Sequence, residues 1–317
     1  MKRQGNLYEQ IISRDNLVLA DKIARRGKQY QKSIIKHDKK RDENIDSLHF
    51  ALSTCTYKTS SYKTFIIKEP KERLIYRLPY IDRIVQHAVM NVARPTFIST
   101  FTSDTYSCIK GRGIHKAVYA VKEALKDKPN TTYYLKIDIK KFYQSVNNFI
   151  LKLMLRKKFK DTKFLDLLDG IIDTSQGLPI GNYMSQYLAN FYLAYFDHWV
   201  KEKMGVRYYF RYADDMVFFS GCKNFLHKLL VDIKEYLNIN LDLQVKENHR
   251  VAPIWTGLDF LGYVFFENYT RIRKGIKQAC ARMLISRPCM NSIYSYMGWF
   301  GHADTINLQN KLIYGRT

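Results

Sequence analysis

The sequence predicts an α+β fold in which short antiparallel strands combine with separate helices. Two β-rich runs carry this prediction: residues 133–139 hold a single acid, Asp138, and residues 208–219 hold the adjacent acids Asp214 and Asp215 among aromatic and apolar residues. A helical stretch punctuated by Gly and Ser lies between the two runs. Because successive side chains of a strand alternate between its faces, we expect a tight turn between two short strands to present the adjacent acids at its tip.

The three acids predict a divalent-metal site. Unpaired buried carboxylates are too costly to retain without a cation. Magnesium binds through one or two carboxylates plus substrate phosphates, and two such ions can activate an attacking oxygen and stabilise a leaving one. A Tyr-x-Asp-Asp string alone arises by chance in roughly a few per cent of chains of this length. The order of the two runs is therefore what favours phosphoryl transfer with two magnesium ions.

Composition indicates a partner rich in phosphate. The chain carries 52 Lys and Arg against 29 Asp and Glu, a formal net charge of +23, which is typical of nucleic-acid-binding proteins. A basic membrane-surface protein is the alternative, but no stretch approaches the ~18 apolar residues of a membrane span, and no apolar signal core follows the N-terminus. We therefore expect a cytoplasmic protein with no membrane partner. Five scattered cysteines without a Cys-x-x-Cys pair predict reduced thiols.

The composition of the segment before the first acidic strand predicts a basic extension followed by a cationic hairpin. Residues 1–65 are polar and basic. Two short β-like runs, residues 65–67 and 74–76, flank a charged turn. Since an incoming triphosphate must be met by Lys and Arg, Lys68 and Arg73 are the candidate nucleotide contacts in this hairpin.

A helix and a glycine-rich loop follow the hairpin. Apolar residues at helical spacing predict a helix over residues 80–89, whose polar positions face solvent. Residues 108–115 form a Gly-rich basic loop ahead of another helix, with Lys110 and Arg112 as candidate contacts to phosphate or template backbone. On spacing alone, a plain loop is an equal alternative.

Taken in order, these motifs resemble a reverse transcriptase over roughly residues 65–265. The matching segments are residues 66–86 for the finger motifs, 138–143 for the first palm motif, 212–215 for the catalytic turn and 257–263 for the primer-grip hairpin. The resemblance implies a right-hand polymerase fold with fingers, a palm of antiparallel sheet plus helices, and a short helical thumb. The implied divisions are a basic extension over 1–65, fingers over 66–130, a palm over 131–265 with part of the fingers around 150–175, and a thumb over 266–317.

The helix between the palm motifs narrows the resemblance. Relatives of the group II intron type carry Gln-Gly-x-x-x-Ser-Pro there, whereas this chain has Ile180, Gly181 and, after Ser185, Gln186. An apolar residue before the glycine and a glutamine after the serine resemble the reverse transcriptases of diversity-generating retroelements, within the group II intron-like lineage. This resemblance implies error-prone cDNA, mutagenic at template adenines, that diversifies a gene by retrohoming in a bacterial, phage or archaeal host.

The resemblance also implies partners. They are dNTPs, a structured template RNA, an RNA/DNA duplex and a small basic accessory variability protein that forms a ring-shaped oligomer. The side chain of Ile180 can pack against the nascent base pair but cannot form a hydrogen bond with it. A mispaired base beside Ile180 would therefore leave no polar group without a partner. An ordinary core position on a helix is the alternative role for Ile180.

The resemblance further assigns roles to single residues. Asp138, Asp214 and Asp215 are implied as catalytic residues and metal ligands, with the backbone carbonyl of Ile139 completing a shell. Tyr143, five residues after Asp138, matches the aromatic sugar gate. The implied nucleotide contacts are Lys68, Arg73, Tyr143, Ile180, Gly181 and Gln186. The implied nucleic-acid contacts are Lys110, Arg112, Gly262, Arg271, Arg273, Lys274 and Lys277.

Two further residues near this site receive expectations. Strand alternation would point Phe142 away from Tyr143 and into the core. Lys246 lies near the position of a family lysine that could protonate pyrophosphate, although the register there is ambiguous.

Two alternatives stay open at this stage. One is a non-catalytic nucleic-acid-binding relative, against which the intact acids Asp138, Asp214 and Asp215 argue. The other is a group II intron-like or defence-system reverse transcriptase of ordinary fidelity, in which Ile180 and Gln186 are incidental.

Overall fold

The computed structural model describes residues 3–68, 72–286 and 288–314. The chain forms two compact units, each built from separate stretches of sequence. The first comprises the chain up to Phe101 together with Lys140–Tyr195 and Asn238–Leu243. The second comprises Thr102–Ile139, Phe196–Leu237 and the chain from Gln244 onward.

Helices and short antiparallel strands occur in separate runs along the described part of the chain, so the predicted α+β class is confirmed. The helices are α1 Tyr8–Ile12, α2 Arg14–Ala24, α3 Lys32–Asp38, α4 Arg41–Ser53, α5 Tyr80–Ile98, α6 Ile114–Ala124, α7 Phe142–Ser145, α8 Asn148–Lys158, α9 Thr162–Ile172, α10 Tyr183–Tyr192, α11 Ala194–His198, α12 Lys223–Leu241, α13 Lys274–Ser286, α14 Met290–Phe300 and α15 Ile306–Gln309. The strands are β1 Lys63–Ile67, β2 Arg73–Arg77, β3 Tyr133–Asp138, β4 Tyr208–Tyr212, β5 Asp215–Ser220, β6 Arg250–Pro253, β7 Leu258–Phe260, β8 Tyr263–Phe265 and β9 Thr270–Ile272.

The first unit contains the predicted cationic hairpin and the predicted helix after it. Strands β1 and β2 pair antiparallel, with Ile67 opposite Arg73. Helix α5 extends the predicted segment to 19 residues. Its Phe97 packs edge-to-face on Phe159 and Phe191, with ring centroids 5.4 and 5.3 Å apart. Aromatic burial of this kind stabilises a core beyond its area alone.

Local polar residues begin the helices that follow the first acidic strand. The side chain of Asn147 accepts hydrogen bonds from the backbone N–H groups of Phe149 and Ile150 and so begins α8. The side chain of Asp161 accepts from Phe164 and begins α9. Such caps satisfy N–H groups that have no partner within the helix.

The second unit contains the sheet that carries the acids. Its four antiparallel strands lie in the order β4-β5-β3-β6. Aromatic residues fill both faces: Tyr209 stacks on Phe218 at 4.8 Å, and Phe210 packs against Phe219 at 6.1 Å. Strands β4 and β5 are almost wholly buried, which explains why they appear in the sequence as continuous apolar runs rather than alternating ones.

A second, three-stranded sheet of this unit contains the hairpin predicted over residues 257–263. Strands β7 and β8 pair antiparallel across Leu261 and Gly262, and β9 pairs with β8. Helices α13, α14 and α15 supply the predicted helical segment. Trp299 of α14 packs on Tyr263, with ring centroids 5.4 Å apart.

Two general expectations concern membrane-spanning helices and the pairing of the cysteines. Within the described ranges, no helix is both long enough and apolar enough to span a bilayer. All five cysteines are free thiols, as the absence of paired spacing predicted. The division into extension, fingers, palm and thumb remains a prediction.

Candidate active site

The adjacent acids lie where β4 turns into β5. Tyr212 ends β4 opposite Asp215, and Ala213 and Asp214 form the connection. Ala213 has a φ of 55°, in the left-handed region that non-glycine residues rarely adopt. Strained backbone of this kind concentrates at functional sites. The predicted tight turn is therefore present, but only Asp214 lies in it, since Asp215 is already the first residue of β5.

The register of the sheet brings the third acid to the same place. Strand β3 pairs with β5 so that Asp138 lies directly opposite Asp215. One carboxylate oxygen of each, Asp138 Oδ1 and Asp215 Oδ1, is buried without a hydrogen-bond partner. Burying such an atom unpaired costs about 1–3 kcal/mol, and more when it is charged. These oxygens are therefore available to a cation.

The electrostatics of the acids agree with a site whose buried negative charge is only partly compensated. Burial, together with the nearby Asp138 carboxylate, raises the pKa of Asp214 to about 6. Burial also raises the pKa of Asp215 to about 6, where the cation of Lys136 opposes the shift and Asp138 adds to it. Carboxylates that share a buried site repel one another in their charged form. A divalent cation would relieve this repulsion.

The acids therefore fit a metal through the chemistry of their oxygens rather than through a ready-made cluster of ligands. Within residues 3–68, 72–286 and 288–314, no three His, Cys, Asp or Glu side chains form a ready-made metal cluster. However, the two orphaned oxygens of Asp138 and Asp215, with Asp214 beside them, are the hard donors that magnesium prefers. Magnesium also needs only one or two carboxylates when substrate phosphates complete its shell. The donor set thus fits the predicted ions.

Lysine ammonium groups contact the outer oxygens of two of these acids. Lys246 Nζ donates to Asp138 Oδ2 at 2.6 Å, and the backbone N–H of Lys246 donates to the Asp138 carbonyl at 2.8 Å. These contacts place Lys246 beside the acidic site. Ile139, whose carbonyl was predicted as a ligand, is buried and forms a bridge with Val245.

Lys136 is a site residue that the sequence analysis missed. Its Nζ lies 3.5 Å from Asp215 Oδ2 and donates to the Asp259 carbonyl at 2.5 Å. It therefore joins the acidic site to the β7–β8 hairpin. Its spacing of two from Asp138 on a strand places both side chains on one face, which is the signal that could have revealed it.

A buried ion pair stabilises the turn between β4 and β5. Arg211 of β4 and Asp197 of α11 are both fully buried, and Arg211 Nε donates to Asp197 Oδ1 at 2.8 Å. Tyr209 and Thr105 also donate to the Asp197 carboxylate, at 2.7 and 3.0 Å. Arg211 Nη1 donates to the Ala213 carbonyl at 3.2 Å. This network fixes the strained residue of the turn.

The predicted nucleotide contacts of the hairpin lie in the first unit. Lys68 follows β1 and Arg73 begins β2, and both side chains are exposed. Residues 69–71 of the predicted charged turn lie outside the described residues. The hairpin therefore presents two cations on its surface, as the sequence predicted.

Tyr143 and Phe142 lie on a short helix rather than on a strand. Phe142 is buried and Tyr143 is half-buried within α7. The expectation that Phe142 packs in the core is confirmed, but the argument from strand alternation was wrong, because residues 142–145 are helical. The Tyr143 carbonyl accepts a hydrogen bond from Leu178 at 2.7 Å. This contact ties α7 to the stretch before α10.

Ile180 and Gly181 precede the helix on which they were expected. Helix α10 begins at Tyr183 because Gly181 adopts a φ of 115°, and a Cβ there would lie 2.6 Å from the Tyr76 carbonyl. The Ile180 carbonyl accepts from Tyr76 N–H at 2.8 Å. Ile180 is half-buried, and Gln186 is exposed on the first turns of α10. The Ile180–Gly181 peptide is thus held against β2.

The basic loop before α6 contains one exposed and one internally bonded cation. Lys110 is exposed. Arg112 Nη1 donates to the carbonyls of Thr102 and Thr105, at 2.5 and 2.8 Å. Arg112 therefore holds the 102–105 turn, a structural role that the sequence analysis did not foresee.

The predicted nucleic-acid contacts of the last segment differ in their exposure and pairing. Arg271, Lys274 and Lys277 are exposed, and Arg273 is paired with Asp259. Gly262 requires a correction, because it is buried and a Cβ there would lie 2.6 Å from the Trp299 ring. Gly262 therefore allows close packing of α14 on the hairpin and offers no exposed surface to nucleic acid.

Comparison with known proteins decides the family. Residues 66–265 match the family described as reverse transcriptase (RNA-dependent DNA polymerase). The chain belongs to the reverse transcriptase family. The matched range begins within β1 and contains β2, the three acids and the β7–β8 hairpin.

Relatives of the chain include protein YkfC of Escherichia coli (strain K12), which is 30% identical over 135 residues that cover 38% of this chain and 35% of YkfC. Apo telomerase from Candida tropicalis has a similar structure, with a TM-score of 0.54 at 14% identity over 70% of this chain and 49% of that one. Telomerase from Candida albicans in complex with a TWJ fragment of telomeric RNA gives a TM-score of 0.50 at 8% identity over 73% and 51%. The chain spans about a third of YkfC and about half of the telomerase chains. The structural similarity confirms the predicted right-hand polymerase fold.

Proposed function

We propose that the protein is an RNA-directed DNA polymerase that extends a primer 3′-hydroxyl with dNTPs. One observation carries the proposal: Asp138 lies opposite Asp215 in the sheet, with Asp214 in the adjoining turn, and two of their oxygens are buried without partners. Two magnesium ions held by Asp138, Asp214, Asp215 and the Ile139 carbonyl would supply the charge that activates the hydroxyl and stabilises the leaving pyrophosphate.

The side chains around the acids have supporting roles in this proposal. Lys246 orients the Asp138 carboxylate and is the candidate proton donor to pyrophosphate. Arg211 holds the backbone of the turn. Tyr143 is the proposed sugar gate, Lys68 and Arg73 are the proposed triphosphate contacts, and Lys110, Arg271, Lys274 and Lys277 are proposed to contact the RNA/DNA duplex.

Primer extension tests the polymerase directly. A labelled DNA primer on an RNA template should be extended when dNTPs and magnesium are present and should remain unextended with EDTA. The same assay on a DNA template measures template preference. A well-folded protein that binds the primer-template but extends neither would favour the alternative of a non-catalytic nucleic-acid-binding relative.

We further propose that the cDNA is error-prone at template adenines and serves a diversity-generating retroelement, with a ring-forming basic accessory protein as partner. The support is the pattern Ile180, Gly181 and Gln186, in which an apolar side chain replaces the glutamine of group II intron relatives. Ile180 is half-buried and can only pack, so a mispair beside it would leave no buried polar group unsatisfied. A group II intron-like or defence-system enzyme of ordinary fidelity is the alternative.

Replacing Ile180 tests the proposed infidelity. Ile180→Gln should lower misincorporation opposite template adenine by a few-fold up to about tenfold, since one restored hydrogen bond contributes about 0.5–1.5 kcal/mol. Ile180→Val is the matched control and should keep the wild-type error spectrum. The readout is deep sequencing of cDNA from an RNA that carries all four bases in matched contexts, with the accessory protein present. A wild-type error rate at adenine that equals the rates at the other bases would favour the ordinary-fidelity alternative.

A further inference from the structure

The hydroxyl of Tyr62 joins separate segments of the first unit. Tyr62 directly precedes β1, and its side chain is half-buried. Its oxygen lies 2.9 Å from Thr174 Oγ1, after α9, and 2.8 Å from Asn182 Nδ2, before α10. The Thr174 hydroxyl donates to the Ile171 carbonyl at 2.6 Å. The Tyr62 hydroxyl therefore donates to Thr174 and accepts from Asn182.

Asn182 uses its side chain in an unusual way for its position. It is the N-cap residue of α10, where an asparagine oxygen typically accepts from the first amides of the helix. Its side chain forms no such bond and instead donates to Tyr62. Gln86 of α5 supplies the cap, because Gln86 Oε1 accepts from the backbone N–H groups of Tyr183 and Met184 at 3.1 and 3.5 Å. The start of α10 is thus held by side chains that are distant in sequence.

The Ile180–Gly181 peptide has two points of attachment. The Tyr76 N–H donates to the Ile180 carbonyl at 2.8 Å, and the Tyr76 carbonyl would lie 2.6 Å from a Cβ at Gly181. The Tyr76 ring also packs edge-to-face on the Tyr62 ring, with centroids 5.5 Å apart. The hydroxyl of Tyr62 holds Asn182, the next residue after Gly181. The backbone of β2 therefore fixes one end of the peptide, and the Tyr62 hydroxyl fixes the other.

We propose that Tyr62 is a positioning residue for nucleotide selection, because its hydroxyl, acting through Asn182, sets where the Ile180–Gly181 peptide meets the nascent base pair. This inference rests on the proposed polymerase function, in which Ile180 packs beside that pair. Asn182 is only 6% exposed. Loss of the Tyr62 hydroxyl would leave the buried Asn182 amide without its acceptor, which favours displacement of the peptide.

The test variant is Tyr62→Phe, which removes the hydroxyl and keeps the ring on Tyr76. Its matched control is Tyr57→Phe in the same segment before β1. The Tyr57 hydroxyl donates to Asp82 Oδ1 of α5 at 2.7 Å, so the control loses one hydroxyl contact that does not involve Asn182. Asn182→Ala removes the other partner of the proposed contact. Since the Asn182 side chain caps no amide, this variant keeps the cap of α10.

Single-nucleotide primer extension gives KM and kcat for correct and mispaired dNTPs. Tyr62→Phe should raise the KM of the correct dNTP by about two- to tenfold, the worth of one hydrogen bond. Its kcat should not change, because the contact acts equally in the ground state and the transition state. A mispaired dNTP makes less use of the contact, so misincorporation should rise. Tyr57→Phe should follow wild type in KM and in misincorporation.

A double-mutant cycle tests the path through Asn182. Tyr62→Phe/Asn182→Ala should raise KM no more than Asn182→Ala alone, because both changes remove the same hydrogen bond. Hydrogen exchange of the Tyr76 amide is a second measurement that requires no activity. This amide donates to the Ile180 carbonyl, so it should exchange faster in Tyr62→Phe than in wild type or Tyr57→Phe.

The contrary outcomes are distinct. A KM that rises equally in Tyr62→Phe and Tyr57→Phe overturns the inference, as do effects of Tyr62→Phe and Asn182→Ala that add. If wild type extends no primer, the polymerase proposal fails, and unchanged exchange of the Tyr76 amide in Tyr62→Phe would overturn the anchoring as well. If Tyr62→Phe fails to fold by circular dichroism, Thr174→Val replaces it, since Thr174→Val removes the acceptor of the Tyr62 hydroxyl.

Discussion

At the scale of single residues, Asp214 is the acid whose removal tests the chemistry most cleanly. Asp214→Asn removes one proposed metal ligand together with a buried negative charge. We expect primer extension to fall by at least about a hundredfold, because metal stabilisation of the transition state contributes several kcal/mol. Thermal stability should hold or rise, since carboxylate repulsion is relieved. Glu235→Gln, at an exposed position of α12, is the control. Extension by Asp214→Asn at the control rate would contradict the assignment.

Tyr143 supports a second prediction at this scale. Tyr143→Val should admit ribonucleotides, because removing the ring leaves space beside the sugar for a 2′-hydroxyl. Tyr143→Phe keeps the ring and should keep the discrimination. The measurement is the ratio of rNTP to dNTP incorporation on one template. An unchanged ratio in Tyr143→Val would assign the gate to another residue; Phe142 is buried, and its truncation should instead cost about 3–5 kcal/mol of stability.

At the scale of elements, the β4–β5 turn depends on the buried pair beneath it. Asp197→Ala leaves the Arg211 guanidinium buried without its carboxylate and should lower the free energy of unfolding by about 3–5 kcal/mol. Asp169→Ala breaks a partly exposed pair with Arg156 and should cost no more than about 1 kcal/mol. Urea unfolding measures both losses. Equal losses would mean that the buried network does not brace the turn.

The elements also show what the sequence could predict. The β1–β2 and β7–β8 hairpins and the acidic strands were predictable because apolar runs and turn residues act over short distances in sequence. The role of Lys136 was not predicted, because its hydrogen-bond partner Asp259 lies 123 residues away in the sequence. The start of α10 was misplaced because Gly181 is fixed by the Tyr76 carbonyl of a distant strand. Pairings set by tertiary packing are not visible in local patterns.

At the scale of the whole molecule, the acidic site couples stability to pH and magnesium. The pKa values of Asp214 and Asp215 are raised to about 6, above the ordinary value of about 3.9. The folded state therefore holds these two protons more tightly than the unfolded state does. Their contribution to stability is complete below about pH 4 and is lost as the pH rises through about 6.

This coupling gives the last prediction, measured by urea unfolding of metal-free protein. The variant Asp214→Asn/Asp215→Asn mimics the protonated site, so at about pH 7.5 it should be more stable than wild type by on the order of 2 kcal/mol. At about pH 5 the gap should narrow, because wild type becomes protonated. Magnesium should stabilise wild type at neutral pH in proportion to the logarithm of its concentration and leave the variant unchanged. Equal stabilisation of both proteins by magnesium would mean that the ion binds elsewhere, and a gap independent of pH would mean that burial of the two acids does not control the stability of the empty site.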